Sequence, residues 1–281
     1  MRATLQIVPV IIFLLITSAC KRNAAPTFGV VQPAPGTFEL CILANADDDA
    51  LAIQDAEEYF RNARTDPAMK KLLQGRAAIG EPPPPPKVGD GSPHIVLEIK
   101  CTYRWAKLST AFLRSEQIDP GEESLGKLLF NRLKQARLDQ EICVDENRLD
   151  SGRASRVYWS QERPAKDDVL AGVDYFLLLR QEPAEHAVLA EEMSITLEFN
   201  ANGQRVLAGR LDDSGTVKFA ALTQRNRPTP ETTRSLAMVV RGEVASAAIL
   251  KDSISQGRFV LDFGTNPAND AERLFADLQG K

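Results

Sequence analysis

The chain is poor in the residues that most often carry chemistry. Its 281 residues include two His, two Trp, four Cys and four Met, and aromatics make up 6%. Two His leave little material for an imidazole metal centre or a His-based acid–base pair. Neither Gly-x-Ser-x-Gly nor His-Glu-x-x-His occurs, so a serine-hydrolase elbow and a zinc-protease helix are absent. No charge sign dominates. With 34 Lys+Arg against 38 Asp+Glu the net charge is -4, which argues against a general nucleic-acid surface. The first apolar run, Ile7 to Ile16 with Pro9 inside it, falls well short of the roughly 20 residues a spanning helix needs. What remains is ordinary globular material, 43% hydrophobic and 26% charged, enough for one large or two small domains.

The N-terminus reads as an address. Arg2 precedes the apolar run, which closes with Ile16-Thr17-Ser18-Ala19-Cys20. A short apolar segment ending in small residues is the pattern of an export signal. Small residues directly before a Cys look like a bacterial lipobox, in which Cys20 is acylated and becomes the new N-terminus. A plain secretory signal and an uncleaved anchor are the alternatives. On the lipobox reading, 1–19 is removed, 20–36 is a flexible tether rich in Ala and Pro, and the protein is held on a membrane without crossing it. The expected location is the extracytoplasmic, periplasmic side of the cell envelope.

Cys41, Cys101 and Cys143 remain after Cys20. An oxidising compartment permits one bridge, and Cys41 and Cys101 each fall in an expected strand. Buried, unreactive thiols are the preferred reading over a disulfide. Three dispersed Cys without His partners do not make a zinc site.

The mature chain mixes strands and helices. Phe38–Ala44 is a strand-length apolar run, and Asn45–Asp49 supplies polar and acidic residues at the start of a helix over Ala50–Arg64. Glu81 to Lys87, with five consecutive Pro, opens an exposed loop over 81–93. His94–Trp105 alternates like one half-buried strand, and Ser124–Arg137 has a helical stripe. Val169–Arg180 is a buried strand. Ser194–Asn200 and Val206–Leu211 form a hairpin about Ala201-Asn202-Gly203. A helix follows from Asp212 to Gln224, then strands Ser235–Val240 and Glu243–Ile249 around Arg241-Gly242, a strand from Arg258 and a helix from Pro267 to Leu278. The expected fold class is α+β in two small mixed domains, 37–187 and 188–281.

Several stretches imitate chemistry. Gly121 to Lys127 has phosphate-loop spacing, but Leu128 stands where Ser or Thr would hold magnesium and two Glu repel phosphate, so no nucleotide is expected. Asp47-Asp48-Asp49 lacks the alternating ligands of a calcium loop and reads as a helix start. His94 and His186 read as surface or loop residues. Trp105, Tyr158 and Trp159 suit a core or its rim better than a binding face.

The C-terminal third carries a resemblance. Asn202-Gly203-Gln204-Arg205-Val206, then Gly215-x-x-Lys218-Phe219-Ala220-x-Leu222-Thr223, is followed by Leu236 to Val240, Gly242-Glu243-Val244-x-Ser246-Ala247, and Ile254-Ser255-Gln256-Gly257-Arg258. In that order the segments resemble the head subdomain of the first periplasmic domain of the SecD/SecDF export subunit, over about 195–280. Ala248 stands where that family often has Pro, and Asp262 replaces a Gly. The resemblance implies a SecD-like head whose Gly215, Phe219, Leu222, Thr223, Gly242, Ser246 and Gly257 are structural. It also implies contact with Sec translocon components or with unfolded exported polypeptides. No enzyme activity, cofactor, metal or nucleic acid is expected. A structural or assembly lipoprotein that reuses the head as a protein–protein module is the alternative.

Overall fold

A computed structural model describes residues 29–46, 48–68, 71, 94–96, 99–109, 112, 142–149, 152–163, 172–230, 232–261 and 268–279. The leader, Cys20, the proline-rich loop, the Gly121–Lys127 stretch and the Ser124–Arg137 helix lie outside the described residues.

Among the described residues, thirteen strands and three longer helices follow in the order β1 (Val30–Val31), β2 (Phe38–Leu43), α1 (Ala50–Thr65), β3 (His94–Val96), β4 (Ile99–Leu108), β5 (Ile142–Leu149), β6 (Gly152–Arg163), β7 (Gly172–Gln181), β8 (Met193–Phe199), β9 (Arg205–Leu211), α2 (Asp213–Arg225), β10 (Thr232–Thr233), β11 (Ser235–Val240), β12 (Glu243–Ile249), β13 (Arg258–Leu261) and α3 (Ala268–Leu278). A short 3-10 turn, Ala190–Glu192, precedes β8. The class is α+β.

The larger sheet closes on itself. Its order runs β7-β2-β11-β12-β4, and β4 pairs again with β7, so five strands form a ring. Strand alternation sends one set of side chains inward. Cys41 and Leu43, Ala106 and Leu108, Tyr175, Leu177 and Leu179, Ala237 and Val239, and Val244 and Ala247 fill the interior, with Phe112 and Tyr158. A bulge between Met238 and Val239 inserts Ala245, so Val244 faces inward and Ala245 outward. Two seams are short. β12 meets β4 through Glu243↔Lys107 and Val244↔Leu108, and β2 meets β7 through Ile42↔Arg180 and Leu43↔Leu179.

The outward residues of the ring build two further cores. Phe38, Leu40 and Ile42 of β2, with Leu236, Met238 and Val240 of β11, face a four-stranded sheet of order β1-β8-β9-β13 together with α2 and α3. Phe259 sits in this core, stacked near Phe38 and tilted against Phe219. On the other side, α1 buries Ile53 and Ala56 against Val157, Trp159 and Leu178. Trp105 and Trp159 pack at 6.3 Å here and Trp159 and Phe176 at 4.9 Å, with Trp159 in the packed interior and Trp105 half-buried against it.

Three expectations change. The strands of 188–281 divide between the two sheets: β8, β9 and β13 join β1, while β11 and β12 are ring strands paired with β2 and β4 of the preceding region. A run as apolar as Ser235–Val240, buried at every residue, requires cover on both faces and both edges, and β2 supplies part of it. The tether is shorter than 20–36, because Val30 and Val31 pair with Thr196 and Ile195 as β1. His94–Trp105 is a hairpin rather than one strand, with Val96 opposite Ile99. The β5–β6 hairpin had no counterpart in the sequence reading; its polar alternation, Asp145 to Arg148 against Arg153 to Arg156, hid it.

Candidate functional site

The β2–β7 seam opens into a slot. Antiparallel strands turn the N–H and C=O of alternate residues to the same side. Ala44 donates its N–H to Leu178 O at 2.9 Å, so Ile42, Leu40 and Phe38 direct theirs toward the same edge. Ile42 finds Arg180 there. Beyond it β7 ends, and no described strand lies along this edge of Phe38 and Leu40, whose other edge is taken by β11. The space is a cavity of about 380 Å³ between Pro35–Ile42 and the segment 180–191, with Leu222 of α2 contributing to its wall. Ala184, Ala187, Val188, Leu189 and Ala190 make the facing side apolar. Backbone groups at such an edge need water or another strand.

The charged residues around the slot are mostly engaged. Glu39 accepts from Arg104 at 2.8 Å. Glu182 pairs with Arg225 at the end of α2. Arg180, almost wholly buried, donates to Asn226 Oδ1 and lies 3.6 Å from Asp49. Burial and the neighbouring Arg234 pull the Arg180 pKa down. Asp49 in turn accepts from Tyr103 Oη at 2.8 Å, from Asn45 N–H at 2.8 Å and from Arg234 at 2.9 Å. Burial first, and then Asp49, raise the Tyr103 pKa, so the phenol stays protonated and keeps donating. Of the acidic triplet read as a helix start, Asp49 is the N-cap of α1, and Asp47 lies outside the described residues. The Asp49 carboxylate turns away from the cap and becomes the centre of a buried ion network.

A second polar group stands at the start of α2. Glu192 accepts from Ser214 Oγ at 2.8 Å, Lys218 Nζ at 2.7 Å and Leu189 N–H at 2.9 Å. Burial pushes the Glu192 pKa up, but these three donors outweigh it and the net shift is downward. The trio fixes α2 to the preceding turn.

The seven residues singled out by the resemblance lie in α2, in β12 and in two turns. Gly215 lies so close to Glu192 that a Cβ would come within 3.0 Å of its backbone oxygen. Phe219 and Leu222 are core residues. Thr223 donates to Phe219 O and accepts from Ile254 N–H at 2.9 Å, tying α2 to the segment before β13. Gly242 and Arg241 both have positive φ, the two-residue turn that suits a twisted hairpin. Ser246 pairs with Met238 beside the bulge. Gly257 has φ +58 and touches Thr216. Of the seven, only Leu222 reaches the slot. Cys20 lies outside the described residues.

Sequence reasoning missed Arg180, Arg234, Asn226 and Glu192. One signal was available: Arg180 ends the run Tyr175 to Leu179, where a charge inside a buried strand needs a buried partner. Cys41 and Cys101 are buried and free. Cys41 points into the ring and Cys101 lies outside its interior core, beside the ion network, so alternation separates them. His186 sits half-buried in the turn after Pro183, and the His94 side chain lies outside the described residues. Among the described residues no cluster of three metal-ligating side chains occurs, and no helix is long and apolar enough to cross a membrane.

No family model and no curated protein matches the chain. Two solved structures are weakly similar. One is of SecDF, described as a membrane component that enhances protein export, at 21% identity over 30% of this chain and 36% of that one, with a TM-score of 0.26. The other is SecDF in a super-membrane-facing form, at 13% identity over 93% of this chain and 30% of that one, with a TM-score of 0.30. The chain therefore spans about a third of the SecDF chains it resembles, and scores this low fix neither its fold nor its activity.

Proposed function

We propose that the chain is a SecD-like, non-enzymatic domain of the cell envelope that contacts polypeptides during protein export. In this reading Cys20 is lipidated on the extracytoplasmic side, and the slot beside β2 holds a short extended segment of an exported polypeptide. The observation that carries the proposal is the β7-side edge at Phe38 and Leu40, which no described strand pairs, facing an apolar wall across about 380 Å³. An added strand would satisfy the backbone groups there, and its side chains would meet Ala187, Val188 and Leu222. Backbone pairing reads no sequence, which suits a site that meets many unfolded clients. The element order from β8 to α3 is also the one the motif series implies.

Titration of the full chain with an unfolded, reduced export precursor tests the reading. Weak, salt-tolerant binding is expected. Ala187→Trp, which fills the slot, should weaken it by about tenfold or more. Absence of binding at high micromolar concentration, or binding indifferent to Ala187→Trp, would remove the proposal. Capture of a single stable partner in place of many clients would favour the assembly role.

A further inference from the structure

Among the described residues, no element packs on the outer face of the four-stranded sheet along the rows of Val30 and Arg210. Cross-strand register aligns Val30, Thr196, Ala208 and Val260 in one row through all four strands. Val30 is 69% exposed and Val260 37%. The adjacent row is Ser194, Arg210 and Arg258. Both arginines are exposed, they stand directly opposite each other, and neither has a carboxylate partner among the described residues. Like charges opposed across a strand pair are unfavourable alone, which makes an anionic partner the natural relief. Among the described residues the face carries one acid, Glu198, on the far side of the apolar row, and its Oε1 is taken by Thr196 Oγ1 at 2.8 Å. Beside Glu198 the face closes at Val206, which is buried.

We infer that this face rests on a membrane surface rich in anionic phospholipid. Arg210 and Arg258 contact the headgroup phosphates, and Val30 and Val260 settle at the headgroup boundary. Charge complementarity favours a phosphate layer over a second copy of this chain, whose own net charge is only -4 and whose matching face would bring the same two arginines. Chain length fits as well. Val30 is ten residues from Cys20, and ten extended residues reach about 35 Å at most, so an anchored chain keeps this face near the bilayer. That last step rests on the proposed anchoring; the charge and register arguments do not.

The experiment uses the full chain with Cys20→Ser, so that no acyl chain contributes, and measures co-flotation with vesicles. Neutral vesicles are phosphatidylcholine, and anionic vesicles carry about one third phosphatidylglycerol. Partition should favour the anionic vesicles and fall with salt. Arg210→Gln with Arg258→Gln should cost about fivefold per arginine, about 25-fold together, while Arg210→Lys with Arg258→Lys stays within about twofold. The N-terminal segment is the same in every variant and cancels from the comparison. Equal partition of the Gln pair and the parent on anionic vesicles overturns the inference, as does a parent that does not distinguish the two vesicle types. If the Gln pair loses its circular dichroism signature, Val30→Asp with Val260→Asp decides in its place. A severalfold loss supports the inference and an unchanged partition overturns it. Polypeptide binding at the slot is read separately by Ala187→Trp, so either idea can fail alone.

Discussion

Arg234 and Asp49, separated by 185 residues, meet at 2.9 Å in a site closed to solvent. The pair joins the start of α1 to the segment between β10 and β11. Asp48 takes the second Arg234 nitrogen at 2.9 Å, and Arg180 approaches Asp49 from β7. Two acids and two arginines balance, so the cluster is tolerable as a unit and costly in part. Asp49→Asn should therefore destabilise the fold by about 3–5 kcal/mol, because it leaves buried guanidinium groups without their central acceptor. Urea denaturation midpoints check this. Asp49→Asn combined with Arg234→Met should recover part of the loss, since both charged partners are then gone. A cost below about 1 kcal/mol for Asp49→Asn would mean that the arginines are solvated.

Burial inside the ring pushes the Cys41 thiol up from its ordinary 9.0 to about 12, with Glu39 adding to the shift. The neutral thiol is thus the form the fold accepts. Below pH 9 the contribution is fully present. Between 9.0 and about 12 the unfolded chain releases the proton and the folded one keeps it, so stability falls as pH rises through that window. Midpoints taken at neutral pH and near pH 10.5 should differ in that direction, and Cys41→Ala should flatten the difference. Iodoacetamide at pH 8, followed by peptide mapping, should leave Cys41 unmodified until denaturant is added. Modification of native Cys41 at the rate of a free thiol would contradict the ring packing.

What could be read from the sequence divides along a physical line. Local signals were sufficient where an element answers to its own period or turn. The Asp212 cap accepts from Gly215 N–H at 2.7 Å, the Asn200 turn closes through Gly203, and α3 runs from Ala268 to Leu278 as its spacing indicates. Closure of the ring had no such signal. It depends on β4 pairing with both β7 and β12, residues more than 60 positions apart, and apolar strands such as β2 and β11 read alike whether they join one sheet or another. The slot follows from that closure, because it exists only where β7 stops short of Leu40. The ion network was equally silent: Asp49 looked like a cap, and a cap is a local role, whereas Tyr103, Arg180 and Arg234 reach it from three distant segments.

Gly257 and Thr216 give the sharpest test of the C-terminal packing. Gly257 O accepts from Leu211 N–H at 2.8 Å, which ties the segment before β13 to the end of β9. Its φ of +58 is costly for any residue with a side chain, and a Cβ there would stand 2.0 Å from Thr216 Oγ1 and 3.0 Å from Thr216 Cβ. Two penalties therefore add in Gly257→Ala, one from the backbone and one from the clash. Gly242 has φ +81 but nothing within 4 Å of the position a Cβ would take, so Gly242→Ala meets the first penalty alone. The expected order is about 1 kcal/mol for Gly242→Ala and about 2–3 kcal/mol for Gly257→Ala. Adding Thr216→Ala removes Oγ1 and should return the clash part while leaving the backbone part, so the double variant should fall between the two single glycine variants. Thermal or urea unfolding of the four chains decides it. Equal costs for Gly242→Ala and Gly257→Ala, with no recovery from Thr216→Ala, would show that the start of α2 does not press on Gly257.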